Sequence, residues 1–244
     1  MFKFPTAAMV CICSLGTITS ASAATITWGD ATNTTTTADI SAAGNLVKAF
    51  NSGGAAITLN GVTFSQFAST GDDVWDSFNA LFPGQVGTNS VFDDLADLGA
   101  LDPLLRTANF LAPVGGGSHV ITLSGLNTGS EYEIQIFFTD QRGSITSPPG
   151  GCLGCNDREV TFTSGASAVT LEADPGNAPT SPFGQFTIGR FTADASTQEF
   201  TISGPEVQQV NAWQLRAPIP EPATVWLFGA GLGVLAVMRR SRPV

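Results

Sequence analysis

The sequence predicts an all-β protein, a jelly-roll-like antiparallel β-sandwich with a short helical insertion. Short segments of alternating polar and apolar residues recur along the chain, and Gly, Asn, Asp or Pro residues bound them. Strong helix formers are scarce in runs, and lysine occurs only at Lys3 and Lys48. An immunoglobulin-type sandwich is disfavoured, because a single such domain would be too short and no Cys–Trp–Cys spacing is present.

The clearest predicted strand is Glu131–Thr139. Its apolar residues repeat at period two, which puts them on one face and leaves acidic and amide side chains on the other. A turn sequence at 126–129 predicts a hairpin between this strand and His119–Leu123. The apolar face comprises Tyr132, Ile134, Ile136 and Phe138, and the polar face comprises Glu131, Glu133 and Gln135. The other predicted strands are Thr25–Trp28, Ala56–Leu59, Val62–Phe64, Glu159–Thr163, Ala168–Glu172, Gly184–Phe191, Gln198–Ser203 and Val207–Arg216.

Residues 91–105 carry leucines at helical spacing, which predicts the helical insertion. Ser90 with Asp93 resembles a capping pair, and Asp102-Pro103 is expected to divide the segment into two short helices. A further helical turn is predicted at Asp73–Leu81, and Thr34–Thr37 reads as a polar loop.

The first 23 residues are typical of a secretory signal peptide. Lys3 precedes an apolar stretch through Met9–Leu15, and Ala21-Ser22-Ala23 predicts cleavage after Ala23. We therefore expect three parts: a signal peptide at 1–23, a β-sandwich at 24–217 and a C-terminal targeting segment at 218–244.

That last segment has three components in a fixed order. Pro220, Glu221 and Pro222 precede the uncharged run Ala223–Met238, and a basic cluster ends the chain. The run of 16 residues spans about 24 Å as a helix, so with its flanks it predicts a transmembrane helix. The basic cluster, expected to stay in the cytoplasm, contains Arg239, Arg240 and Arg242.

This order resembles the PEP-CTERM sorting signal of Gram-negative bacteria. The resemblance implies that an exosortase, a membrane cysteine protease-transpeptidase, recognises Pro220, Glu221 and Pro222 and that the arginines act as a stop. It also implies export, transient anchoring in the inner membrane, and a final place in the cell envelope or outside the cell.

The body is acidic. Between residues 24 and 219, Lys48 and five arginines stand against 19 acidic residues, a net charge of −13. This charge argues against nucleic acid and anionic lipid as partners. It is compatible with divalent cations and with neutral polymers such as polysaccharide.

Two of the four cysteines remain after removal of the signal peptide, Cys152 and Cys155. Outside the cytoplasm this pair predicts a local disulfide that closes a loop. Free thiols and a catalytic or metal-binding role are the alternatives, although a zinc site would need two more ligands and the chain has one histidine, His119.

A pattern spread over most of residues 25–216 consists of Gly125-Leu126, Gly129, Tyr132, Gln135–Phe138, Asp140, Arg142, Phe191–Asp194, Thr197-Gln198 and Asn211–Arg216. It is similar to a pattern in exported bacterial sandwich domains that look like galactose-binding or malectin-like jelly rolls. The resemblance implies the fold and leaves the ligand open.

Asp140 and Arg142 follow the clearest strand, and loops at strand ends are where sandwiches place ligands. An aspartate accepts hydrogen bonds from sugar hydroxyls, an arginine donates them, and Tyr132 or Trp75 would stack on a sugar ring. These four residues form the predicted glycan site. The alternative is an Asp–Arg pair that pins a loop.

Glu131 and Glu133 share a strand face, a spacing that allows the two carboxylates of a glycosidase, but it is equally typical of the solvent-exposed face of a strand. Two acidic clusters offer oxygen ligands for calcium without an EF-hand or nonapeptide spacing, and solvated helix starts are the alternative. The clusters are Asp72, Asp73 and Asp76, and Asp93, Asp94 and Asp97.

We therefore expect an exported, non-catalytic protein of the cell envelope or extracellular matrix, with a carbohydrate-binding sandwich and no cofactor other than calcium. The alternatives are an envelope glycoside hydrolase and a calcium-stabilised adhesion module.

Overall fold

Strands make up most of the described chain. The computed structural model describes residues 24–52, 55–66, 99–105, 107–110, 117–140, 158–175, 184–205 and 208–218, with the backbone alone at 109–110. Strands hold 57% of these residues, which confirms a mostly β protein with sandwich-like sheets. The predicted signal peptide, the membrane run, Cys152 and Cys155 lie outside the described residues.

Fourteen strands and three short helical turns occupy these ranges. The strands are β1 Thr27–Trp28, β2 Thr32–Asn33, β3 Asn45–Asn51, β4 Ile57–Leu59, β5 Val62–Gln66, β6 Asn109–Phe110, β7 Gly117–Ser124, β8 Glu131–Phe138, β9 Glu159–Ser164, β10 Ser167–Glu172, β11 Gln185–Thr192, β12 Thr197–Gly204, β13 Gln209–Val210 and β14 Ala212–Ala217. The helical turns are two 3₁₀ turns, Thr37–Asp39 and Gly99–Leu101, and the helix α1, Asp102–Leu105.

The strands form two principal sheets. The large sheet has the order β1-β11-β8-β14-β3-β5-β4, with β2 paired to the end of β11, and the small sheet has the order β10-β9-β12-β7. A separate pair joins β6 and β13. Pairing is antiparallel except between β3 and β5, which run parallel over two residue pairs. The predicted antiparallel sandwich therefore contains one parallel strand pair, β3 with β5.

The inner core lies between the two sheets. The inward residues of β8 predicted from period two are all buried there, together with Trp213 of β14, which is 1% exposed. From the small sheet, Phe162 and Phe200 pack around Trp28 with ring centroids 5.6 and 5.5 Å away. Apolar burial on this scale is the main driving force for holding the sheets together.

The predicted hairpin between His119–Leu123 and Glu131–Thr139 is wrong. β7 belongs to the small sheet and pairs with β12, whereas β8 belongs to the large sheet and pairs with β11 and β14. The connection at 125–130 crosses from one sheet to the other instead of returning. It runs beside the β11–β12 connection, and Gly129 N–H donates to Ala193 O at 2.7 Å while Ala193 N–H donates to Ser130 O at 2.9 Å. The two connections therefore continue the ladder around the sandwich edge.

The outer face of the large sheet is also covered. Phe137 of β8 and Phe186 of β11 point outward and pack in a second apolar cluster with Leu101, Leu104 and Leu105. These leucines come from the predicted helical insertion, of which residues 99–105 are described, and the 3₁₀ turn passes into α1 at the predicted break near Asp102. The remainder, 91–98, and the predicted turn Asp73–Leu81 lie outside the described residues. None of the helices in the described ranges is long and apolar enough to cross a membrane.

The strands β2, β3 and β6 are not predicted, and one predicted strand is divided in two. β3 is not predicted, because Asn45–Asn51 contains a lysine and lacks a clean alternation, yet it lies in the large sheet beside β14. The predicted strand Val207–Arg216 is two strands, since β13 pairs with β6 and β14 pairs with β3 and β8. The chain changes partner at Asn211.

Asn211 is fully buried and connects four segments. Its Oδ1 accepts the N–H of Thr139 at 2.9 Å, and its Nδ2 donates to the carbonyls of Leu105 and Thr107 at 2.9 and 3.2 Å. Its backbone N–H donates to Phe137 O at 3.0 Å, and its carbonyl accepts from Ser52 N–H at 2.9 Å. One side chain thus satisfies the main-chain groups at the end of β8 and after α1, groups that would otherwise be buried without partners.

We predict that Asn211→Asp destabilises the fold. The substitution keeps the shape but removes both Nδ2 donors, leaving two buried carbonyls facing a carboxyl group, at a cost of about 2 kcal/mol or more. The thermal midpoint should fall by about 4–8 °C or more, read by circular dichroism. Asn127→Asp, at an exposed turn position, is the matched control, and equal midpoints for the two variants would contradict the role of Asn211.

Candidate functional site

A row of polar side chains crosses four neighbouring strands on the outer face of the large sheet. Thr27 of β1 is in register with Arg190 of β11, and Arg190 is in register with Glu133 of β8. Glu133 is in turn opposite Arg216 of β14. Directly opposed residues on adjacent strands have neighbouring side chains, so one carboxylate lies between two guanidinium groups.

Glu133 is held by two partners. Its Oε2 accepts from Nε and Nη2 of Arg190 at 3.2 and 2.9 Å, and its Oε1 accepts from the Ser41 hydroxyl at 2.7 Å. The Glu133 side chain is 18% exposed, whereas that of Arg190 is 72% exposed. The ion pair therefore has a fixed, mostly buried carboxylate and a guanidinium that is largely exposed.

Arg216 is buried and holds a loop over the sheet. Its Nη2 donates to the carbonyls of Ala42 and Gly44 at 3.0 and 2.8 Å, its Nη1 donates to Gln214 Oε1 at 3.0 Å, and its Nε donates to Ala43 O. Burial lowers the pKa of Arg216, and the negative charge of Glu133 partly offsets this by raising it. Four hydrogen bonds to the protein fix the position of the guanidinium.

Two buried amides extend this contact along the same loop. Gln135 donates to Asp39 O at 2.6 Å and accepts from Ser41 N–H at 2.9 Å. Gln214 donates to Ser41 O at 2.9 Å and to Gln135 Oε1 at 2.7 Å. The polar face of β8 is therefore not simply solvent-exposed, because Gln135 is 1% exposed beneath this loop.

Beyond the loop the outer face opens into a cleft of about 700 Å³. Both Glu131 and Glu133 line it, with Arg190 between the strands and the loop at Gly44 as one wall. Gly44 has φ +76°, and a Cβ there would meet the carbonyl oxygen of Ala217, so the wall requires glycine. The lining residues are Thr25, Thr27, Ala43, Gly44, Glu131, Tyr132, Glu133, Arg190, Phe191, Thr192, Arg216, Ala217 and Pro218.

The chemistry that this lining offers is hydrogen bonding. Thr25, Thr27 and Thr192 contribute hydroxyl groups, Glu131 contributes an exposed acceptor and Arg190 contributes donors. Glu133 already accepts three hydrogen bonds from the protein itself, so its role is to orient Arg190 and it has little capacity left to accept a hydrogen bond from a ligand. Such a lining suits a neutral ligand rich in hydroxyl groups.

Of the residues in the predicted glycan site, Tyr132 and Asp140 are described, and the structure does not bring them together. Tyr132 is the second residue of β8 and Asp140 follows the end of that strand. The six residue steps of strand from Tyr132 to Phe138 alone span about 20 Å. Tyr132 is 4% exposed; its ring stacks on Phe191 at 5.5 Å, and its hydroxyl accepts the Asn127 N–H at 2.8 Å. This contact fixes the crossing between the sheets.

Asp140 lies in a buried polar cluster. It pairs with Arg158, whose Nη1 is 2.9 Å from Asp140 Oδ2 and 3.2 Å from Gln209 Oε1. Gln209 in turn donates to Thr139 O at 2.6 Å. The geometry resembles the Asp–Arg pair that pins a loop, with Arg158 as the arginine.

The other predicted site residues cannot be placed. Trp75, Arg142, Cys152 and Cys155 lie outside the described residues, as do the two acidic clusters. Within the described ranges no group of three or more His, Cys, Asp or Glu side chains is arranged to hold a metal ion. Calcium binding by the acidic clusters stays a prediction.

Arg190, Arg216 and Thr27 line the cleft, but none of them is a predicted site residue, because they come from strands far apart in the chain. One signal was present. The body has only six basic residues, so Arg190 and Arg216 are among the few side chains able to balance the carboxylates of β8.

Comparison with known proteins identifies one segment. Residues 218–242 match the family model of the PEP-CTERM protein-sorting motif. The match includes the predicted recognition residues Pro220, Glu221 and Pro222 and the three arginines of the basic cluster. Neither a curated protein nor a solved structure matches the chain. The motif implies an exported protein that an exosortase sorts to the envelope and that is anchored transiently in the membrane.

Proposed function

We propose that this protein is a non-catalytic component of the cell envelope or extracellular matrix whose body binds carbohydrate in the cleft between Arg190 and Glu131. In this proposal the body is a jelly roll of the galactose-binding or malectin-like type, and a polysaccharide is its partner. It uses no cofactor for binding and has no nucleic-acid partner.

The crossing ladder supports the jelly-roll assignment. β7 and β8 on one side, and β11 and β12 on the other, are two bent strands that stay paired as they pass from sheet to sheet. Strands that switch sheets through bends form the corners of sandwiches of this kind. The residues of the body-wide pattern at Gly129, Tyr132 and Ala193 lie at this corner.

The cleft is the observation that carries the binding proposal. It combines an accessible guanidinium, an exposed carboxylate and threonine hydroxyls in about 700 Å³, a size in the range of small-molecule sites. The acidic body disfavours polyanions, and neutral sugar hydroxyls can both donate to Glu131 and accept from Arg190. A neutral sugar would therefore bind through hydrogen bonds alone, without a proton transfer to or from the protein.

We expect the exported protein to be retained on at least one polysaccharide or glycan of a printed array. Glu131→Gln should then weaken binding about tenfold, the loss expected for one hydrogen bond to a charged group. Glu172→Gln is the matched control, because Glu172 is an exposed glutamate of the small sheet. Equal binding by both variants would remove the cleft from the proposal, and no retention on any glycan would leave a structural role.

A glycoside hydrolase is the second candidate, because Glu131 and Glu133 line one cleft. However, both carboxylates project from one strand, and Glu133 is engaged by Arg190 and Ser41. A hydrolase needs one carboxyl group free to protonate the leaving oxygen and a second to attack or activate water.

We therefore expect no new reducing ends when the protein is incubated with the polysaccharide that it binds. A reducing-sugar assay measures this directly, with a Glu131→Gln sample as the background. Release of sugar by the wild-type protein that Glu131→Gln abolishes would replace the binding function with catalysis.

Deleting Pro220–Val244 should change the location or processing of the protein without unfolding the body. The last strand ends at Ala217, before the deletion, so the thermal midpoint of the body should stay within about 2 °C, a change of less than about 1 kcal/mol. Fractionation of cells should find the truncated chain out of the membrane fraction. A body that fails to fold without residues 220–244 would contradict the division into domain and sorting segment.

A further inference from the structure

Ala24, the residue after the predicted cleavage point, is bound at both of its backbone groups. Its N–H donates to Asp194 Oδ2 at 2.7 Å, and its carbonyl accepts from Gln198 Nε2 at 2.7 Å. Asp194 lies in the connection between β11 and β12, and Gln198 is a buried residue of β12. A short connection and a rigid strand thus fix the position of the Ala24 nitrogen.

The residues that follow hold this position firmly. Ile26 N–H donates to the Ser164 hydroxyl at 3.0 Å, and Trp28 N–H donates to the Ser167 hydroxyl at 2.9 Å. The side chains of Ile26 and Trp28 are 0% and 7% exposed in the inner core. The segment 24–28, here called the N-terminal arm, therefore has little freedom to move its first nitrogen away from Asp194.

The acceptors along the arm differ in charge. Two of the three N–H groups, those of Ile26 and Trp28, donate to neutral serine hydroxyls. The Ala24 N–H alone of these three faces a carboxylate. A neutral amide N–H can be satisfied by a neutral acceptor. A carboxylate forms its strongest hydrogen bonds with a positively charged nitrogen.

We propose that Asp194 binds the α-ammonium group of a mature chain that begins at Ala24, while Gln198 holds the carbonyl group of the same residue. The proposal uses the predicted cleavage after Ala23 and is independent of carbohydrate binding. A leader peptidase hydrolyses the Ala23–Ala24 bond; water supplies the hydroxyl group of the new Ala23 carboxyl and the proton of the new amine. Protonation of that amine then converts a hydrogen bond into an ion pair.

The chemical consequence is a protected amine. The ordinary pKa of an α-amino group is about 7.7–8.0, and a neighbouring carboxylate favours the charged form. Amine-reactive reagents attack the neutral form, so the ion pair slows their reaction at neutral pH. The site also locks the arm that carries Ile26 and Trp28 once the leader has gone.

The test uses protein exported with its own leader and purified from the cell. Mass spectrometry of the N-terminal peptide should show a chain that begins at Ala24. The purified protein is then treated with an amine-reactive acetylating reagent, and peptide mapping separates the α-amine from Lys48, the one lysine after residue 23. Replacing Asp194 by Asn should speed acetylation of the α-amine about threefold, the factor for half a pKa unit, which is the usual spread for N-termini.

Asp30→Asn is the matched control, because it removes the same charge from an exposed position six residues along the chain; its α-amine should react at the wild-type rate. Lys48 gives an internal reference for folding and reagent in every sample. An N-terminus at another residue would overturn the proposal, and so would equal rates in Asp194→Asn and wild type.

Discussion

The buried guanidinium of Arg216 is the constraint on which the outer face of the large sheet depends. A guanidinium cannot leave water without acceptors for its N–H groups, and here those acceptors are three successive carbonyls at 42–44 together with Gln214. Main-chain carbonyls converge in this way only if the loop turns back on itself, which the positive φ at Gly44 permits. Burial of one charge therefore dictates the course of the loop that forms the cleft wall.

The same charge explains the rest of the row. A desolvated cation needs a nearby anion, and Glu133 opposes Arg216 across β8 and β14. On the opposite side of β8 from Arg216, Glu133 pairs with Arg190 of β11, whose guanidinium is exposed. Along the outer face the cover changes in order: leucines over Phe137, main chain over Gln135, and the Ser41 hydroxyl beside the open cleft at Glu133. The cleft lies where the cover ends.

Local patterns in the sequence predict those parts of this structure that depend on neighbours in the chain. Period two in β8 places its apolar face correctly, and Glu131 with Glu133 is found in a common cleft. The hairpin prediction is wrong because the turn residues at 126–129 are the same whether the chain returns to the same sheet or crosses to the other one. The hydrogen bonds to Ala193 determine that it crosses. Burial of Gln135 is equally impossible to predict from the local sequence, since a glutamine is buried only when distant groups satisfy its amide. To predict that Arg190 lies beside Glu133, the order of the strands in the sheet must be known.

The end of the body and the start of the sorting motif meet without a spacer. β14 ends at Ala217, the motif begins at residue 218, and both Ala217 and Pro218 line the cleft. Processing anywhere after Pro218 leaves the cleft complete, whereas a cut two residues earlier would remove the carbonyl of Ala217 that lies against Gly44. The fold thus sets an upstream limit on where the tail can be removed without loss of the cleft wall. The cleft therefore lies at the residue where the sorting motif begins, and the last residues of the body and the first residue of the motif share one surface.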